Sequence, residues 1–218
     1  DNGETVEELT ACTTSEAAAR EFEAVGAFWS RYIDAEWVET PDEALNFMTN
    51  IWMKYQAISC RLWGKSGFYQ VSAGFGFRDQ LQDCQIFLEN RPEEARKQIL
   101  LHASKQFAAG DVYHWWFTIS GSGPQSNCSD DLLWLPFILS AYLQETGDYA
   151  ILDEVVPYVD EGEGDLYDHC KRSIEKCFSR FSPRGVPHRP KALPPRRSAA
   201  LRPPRSSPST KRKNVRTA

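Results

Sequence analysis

An all-α fold is predicted from three observations. Apolar residues recur at three- and four-residue steps along most of the chain, cap residues and prolines stand where those runs begin, and strand signals are weak and confined to Tyr113–Ile119. With 218 residues, 41% of them hydrophobic, and with seven Trp and twelve Phe, the chain can bury a sizeable core.

Each helix is justified in turn. Ser15 opens the first, to about Asp34, with Phe22, Val25, Phe28, Trp29 and Tyr32 on its apolar stripe. Thr40-Pro41-Asp42-Glu43 supplies a cap, a proline at the first helical position and acids in the first turn. The second helix follows, with Leu45, Met48, Trp52 and Tyr55 as its stripe, and reaches about Cys60. A third carries Phe77, Leu81, Cys84 and Leu88 and ends before Pro92, which begins a fourth running to about Phe107. The fifth runs from Ser129-Asp130-Asp131 to Glu145, bent at Pro136 and stopped by Gly147. A short helix at Tyr149–Val155 and a longer one from Gly164 to Arg180 complete the set. Trp52, Tyr55, Leu81, Leu88, Leu133 and Trp134 are the predicted core.

Composition divides the chain. From Arg184 to Ala218 there are eleven Lys or Arg and no Asp or Glu, and eight of the thirteen prolines lie between Pro183 and Pro208. The preceding residues hold 14 basic against 30 acidic side chains. Three segments are expected: 1–14 as a disordered start or linker, 15–183 as the folded unit, and 184–218 as a disordered basic tail. The abrupt switch to Pro, Arg, Ser and Ala is what a shifted reading frame produces. The tail attracts phosphate backbones only non-specifically, because it has no aromatic residue to stack on bases. Six cysteines without Cys-x-x-Cys pairing or His at ligand spacing read as reduced thiols, with no metal and a cytoplasmic setting. No apolar run has the length of a membrane span, and a chain beginning at Asp1 reads as part of something longer.

Chemistry concentrates between Cys60 and Asp83. Gly64, Gly67, Gly74 and Gly76 alternate with Trp63, Phe68, Tyr69, Phe75 and Phe77, and the stretch ends in Arg78-Asp79 at a helix start. Sugar rings have apolar C–H faces and a hydroxyl rim, so aromatic faces beside a paired donor and acceptor suit them; a packed turn between core helices has the same composition. Asp130-Asp131 is consistent with a helix cap or with acids facing a pocket beside Trp134. His114-Trp115-Trp116 is consistent with sugar stacking or with core packing.

The ordered segments Asn50-x-Trp52-x-x-Tyr55-Gln56, Gly76-Phe-Arg-Asp-Gln-Leu-Gln-Asp83, His114-Trp115-Trp116 and Ser129-Asp-Asp-Leu-Leu-Trp-Leu-Pro136 resemble glycoside hydrolase family 94. That family contains inverting disaccharide phosphorylases and the phosphorylase-like domain of cyclic β-1,2-glucan synthase. The resemblance runs from about Phe28 to Pro187 and is greatest to the β-1,2-glucan branch. It implies roughly the first half of an (α/α)6 barrel, a β-linked glucan as partner, phosphate as co-substrate with no other cofactor, and frequent homodimers. It leaves room for a membrane-anchored parent if that parent is of the cyclic glucan synthase type. It also implies that Arg78 and Asp79 line the subsite for the non-reducing glucosyl unit. Trp116, Asp130 and Asp131 are further substrate-binding candidates, and Arg61 a phosphate-binding one.

One departure bears on activity. After a helix like Leu166–Phe178, family members continue with Asp-Trp-Asn-Asp, whose last Asp is the general acid. Here Arg184-Gly-Val-Pro187 is followed by the basic tail, with no acid. No catalytic residue is assigned, and the chain is expected to be inactive alone. A carbohydrate-binding remnant is the alternative, and nucleic-acid binding through the tail a weaker one.

Overall fold

The computed structural model describes residues 10, 13–64 and 74–186, and these are mostly helical. Six helices and four short strands follow in chain order. Helix α1 (Ser15–Ile33) is capped by Thr14, whose hydroxyl accepts from Ala17 N at 3.1 Å. In its N-terminal half Ala17 is buried while Phe22 is 81% exposed, and towards its C-terminus Phe28, Trp29 and Tyr32 meet Trp63, with Trp29 also against Tyr55 and Tyr32 against Phe87.

Helix α2 begins at Glu43–Phe47, with Asp42 as its cap rather than Thr40. It continues through π-helical Met48–Trp52, α-helical Met53–Tyr55 and π-helical Gln56–Leu62. The π stretches wind more slowly than 3.6 residues per turn, and the buried face shifts accordingly. Asn50, Lys54, Ile58 and Leu62, four residues apart, are buried. The predicted stripe of Leu45, Met48, Trp52 and Tyr55 is exposed, so the expected burial of Trp52 and Tyr55 is corrected. Asn50 and Lys54 hold the α1–α2 connection. The Asn50 amide bonds both backbone groups of Val38 at 2.8 Å, and Lys54 Nζ donates to the carbonyls of Ile33 and Glu36 at 2.7 and 2.6 Å.

Strand β1 (Gly74–Gly76) pairs antiparallel with β2 (Trp115–Phe117), Phe75 opposite Trp116. Between them lie α3 (Phe77–Asp83), which tightens into a 3₁₀ turn at Cys84–Phe87, and α4 (Pro92–Ala103), with Pro92 at its first position and Glu93 and Glu94 in its first turn. The 3₁₀ turn brings Phe87 into the core and leaves Leu88 only partly buried. A second 3₁₀ turn (Asp131–Leu133) leads into α5 (Trp134–Thr146), which ends at Gly147 in the left-handed region with φ 66°. Pro136 lies in the first turn of α5, where its missing N–H has no helical acceptor to lose, so no bend is required of it. After a 3₁₀ turn at Tyr149–Asp153, β3 (Val155–Pro157) and β4 (Glu163–Asp165) form a hairpin, and α6 (Leu166–Ser179) is capped by Asp165.

Helix α5 packs against α3, α4 and α6. Phe77, Leu81, Ile99, Leu135, Ile138 and Leu166 are fully buried at this junction, with Leu133 and Trp134 half-buried beside them. None of the described helices is long and apolar enough to cross a membrane. The expectations for residues 1–9 and 187–218, including the body of the basic tail, lie outside the described residues, as does most of the glycine-rich loop.

Candidate functional site

The start of α3 positions the paired donor and acceptor. Gly76 is its cap, and the Asp79 carboxylate folds back over it; a Cβ on Gly76 would lie 2.7 Å from Asp79 Oδ2. A side chain at this position would displace the Asp79 carboxylate. Arg78, one residue before, lies between two acids, with Nε 3.6 Å from Asp79 Oδ1 and Nη1 3.2 Å from Asp130 Oδ2. The Asp130 hydrogen bond is the main cause raising the Arg78 pKa above its ordinary value. Arg78, Asp79 and Asp130 all remain substantially exposed, with polar atoms available to a ligand.

Asp130 also borders an open cleft of about 260 Å³ lined with Leu133, Trp134 and Phe137. The Trp134 and Phe137 rings meet edge to face at 5.4 Å. Asp130 thus joins the Arg78–Asp79 pair to the rim of this cleft, whose lining does not itself include Arg78 or Asp79.

Other candidate residues lie elsewhere. Trp116 is only 2% exposed, its ring packed against His102 at 5.1 Å and Phe75 at 6.1 Å. A stacking face for sugar is not open on it, and of the two readings of His114-Trp115-Trp116 the core one holds for Trp116. Asp131 is wholly buried and faces inward. Its Oδ2 accepts from Ser126 Oγ and lies 2.7 Å from His114 Nδ1. It therefore holds the loop that presents Asp130 and offers nothing to a ligand in the cleft. Arg61 is engaged by Asp83, with Nε 2.6 Å from Oδ2, while half of its side chain stays exposed. Burial raises the Asp83 pKa, and the Arg61 hydrogen bond opposes that shift.

Asp131, next to Asp130 in the chain, belongs to a polar network that motif spacing did not reveal. Ser126 Oγ accepts from Cys128 N at 3.0 Å, and Arg180 at the end of α6 donates through Nη1 to Cys128 O at 3.1 Å. The other Arg180 nitrogen donates to Asp111, which also pairs with Lys176 at 2.8 Å. His114 had a signal in its place before the tryptophan pair. Ser126, Cys128 and Arg180 had none, because only the fold brings residues so distant in sequence together.

The profile of the glycosyl hydrolase 94 superfamily, catalytic domain, matches residues 28–192. Cyclic β-(1,2)-glucan synthase NdvB of Rhizobium meliloti (strain 1021) is 42% identical over 183 residues, covering 76% of this chain and 6% of that protein. N,N′-diacetylchitobiose phosphorylase of Vibrio proteolyticus is 31% identical over 182 residues, 71% of this chain and 23% of its own length. Solabiose phosphorylase of Paenibacillus borealis is 35% identical over 137 residues, 63% and 16% respectively. The chain thus spans under a quarter of the length of these relatives. By the extent of the family match, this chain belongs to the glycosyl hydrolase 94 superfamily.

Proposed function

We propose that the chain is the sugar-binding leading half of a β-glucan-active catalytic domain, an (α/α)6 barrel in its complete form, without phosphorolytic turnover of its own. The observation carrying this reading is the Arg78–Asp130 ion pair, which joins two sequence motifs 52 residues apart beside an aromatic-edged cleft. A guanidinium held between two exposed carboxylates donates to one ring hydroxyl while the acids accept from its neighbours. Trp134 and Phe137 offer apolar faces to the C–H side of the ring. A cleft of about 260 Å³ suits a single sugar unit.

Two further observations support the reading. The exposed stripe of α2 and the exposed Phe22 and Val25 of α1 are apolar surfaces of the kind that neighbouring helices of a barrel cover. Relatives are named for cyclic β-(1,2)-glucan synthesis and for disaccharide phosphorolysis. The partner is then a β-linked, β-1,2-like glucan oligosaccharide, with inorganic phosphate as co-substrate of the complete enzyme and a second copy as its subunit partner. The five free cysteines among the described residues accord with a cytoplasmic, reducing setting.

Inverting phosphorolysis needs an acid to protonate the glycosidic oxygen while phosphate attacks the opposite face of the anomeric carbon, a relation parallel to inverting hydrolysis. The 218 residues contain no Asp-Trp-Asn-Asp segment. General-acid assistance typically supplies about 10²–10⁴-fold in rate. The purified chain, given β-1,2-linked glucan oligosaccharides and phosphate, should form no glucose 1-phosphate above a protein-free control. Turnover abolished by Asp79→Asn would show that another residue supplies the proton.

A further inference from the structure

We propose that His114, Cys128 and Asp131 form a binding site for one zinc-type divalent metal ion, placed to lock the loop that carries Asp130. A nitrogen, a sulfur and an oxygen donor from these residues all lie within 4.8 Å of one another. His114 Nδ1 is 2.7 Å from Asp131 Oδ2 and 4.0 Å from Cys128 Sγ. Donors around a tetrahedral zinc ion, with bonds of 2.0–2.3 Å, sit about 3.5 Å apart. The observed separations bracket that value, so side-chain shifts of about 1 Å or less admit the ion.

The donor set selects the metal. A thiolate with an imidazole favours zinc-like ions over calcium or magnesium, which take oxygen ligands. A nucleophilic relay is the competing reading of Cys, His and Asp together, and the geometry opposes it. Such a relay uses the two imidazole nitrogens for different partners, whereas Cys128 and Asp131 both approach Nδ1.

Asp131 adds a second, independent observation. The residue is 0% exposed, and its Oδ1 has no hydrogen-bond partner among the described residues. A buried carboxylate oxygen left unmatched is costly, and a cation satisfies it. Ser126, bonded to both Asp131 and Cys128 N, and Arg180, bonded to Cys128 O, hold the ligands in place. Support of this kind is what metal ligands require. Side-chain exposure of 44% at His114 gives the ion a route from solvent.

On binding, His114 coordinates through Nδ1 with its proton on Nε2, Asp131 coordinates as carboxylate, and Cys128 releases its thiol proton to solvent. Water fills the fourth position. The ion then ties β2 to the turn before α5 and steadies Asp130 opposite Arg78.

The test is titration of the full chain, kept reduced and freed of metal, with Co²⁺ as a spectroscopic stand-in for Zn²⁺. One equivalent should produce tetrahedral ligand-field bands and a thiolate-to-metal charge-transfer band, both erased by stoichiometric Zn²⁺. Cys128→Ser should remove the charge-transfer band, while Cys60→Ser leaves it intact. Ser126→Ala, which removes only a supporting contact, should weaken binding about 10–100-fold. A helical circular dichroism spectrum must be retained by each variant compared. Absence of a saturable one-equivalent band from the folded chain, or a band undiminished in Cys128→Ser, would overturn the proposal. Neither result depends on sugar binding, so this site and the sugar cleft stand or fall separately.

Discussion

Arg78 on α3 and Asp130 before α5 meet with Nη1 3.2 Å from Oδ2 although 52 residues separate them in the chain. Their side chains are 38% and 51% exposed, so the pair contributes little to folding while pointing charged groups at solvent. Exposed ion pairs are worth about 0–1 kcal/mol. Arg78→Ala should therefore change unfolding free energy by about 1 kcal/mol or less in urea denaturation. A loss of several kcal/mol would make Arg78 a structural residue instead.

The two faces of α2 are separated by a paired substitution. Ile58 is 1% exposed and Leu45 is 51% exposed. Ile58→Ala should lower stability by about 2–5 kcal/mol, and Leu45→Ala should stay within about 0.5 kcal/mol. Chemical denaturation of both variants decides which face is inside, and the reverse order would restore the 3.6-residue stripe.

That contrast shows what was legible in the residues and what was not. Phe77, Leu81 and Cys84 follow an ordinary helical step and are all buried as the pattern predicts. The α2 stripe was misread because its π stretches move the inside to positions four apart, and because polar Asn50 and Lys54 are buried to bind a connecting segment. No apolar count detects that arrangement. The β3–β4 hairpin left no alternation to read, since its strands are three residues long and include Pro157 and Gly164. At the candidate site, Arg78, Asp79 and Asp130 stand in motifs, but the meeting of Arg78 with Asp130 does not show in their spacing. Nor does the inward turn of Asp131 and Trp116, because it depends on what His114, Ser126 and His102 do in three dimensions.

Gly123 tests the loop between β2 and α5. A Cβ there would lie 1.8 Å from the carbonyl oxygen of Trp115, a main-chain atom that cannot rotate away. Gly123→Ala should cost about 3 kcal/mol or more, at or above the upper end for overpacking, and should lower the melting temperature clearly. An unchanged melting temperature would mean that this loop moves freely from β2.

Acid should weaken the fold through His102. Burial holds its imidazole down at about 4, below the ordinary 6.5. Between those values the unfolded chain binds a proton that the folded chain excludes. The stabilising contribution of neutral His102 is thus complete above pH 6.5 and is lost progressively as pH falls toward 4. His169 shifts in the same direction, also through burial. Unfolding free energy measured from pH 7 to pH 4 should decline, and His102→Gln should show a shallower slope. An identical slope in that variant would assign the acid sensitivity to other groups.

The central claim is that Arg78 and Asp130 present a sugar-binding surface, and calorimetric titration with a β-1,2-linked glucose disaccharide tests it most directly. The folded chain should show saturable binding. Arg78→Ala and Asp130→Asn should each weaken it by about 10–100-fold, the range expected for lost hydrogen bonds to charged groups, without a matching loss of stability. No saturable heat from the folded chain, or equal affinity in Arg78→Ala, would contradict the account.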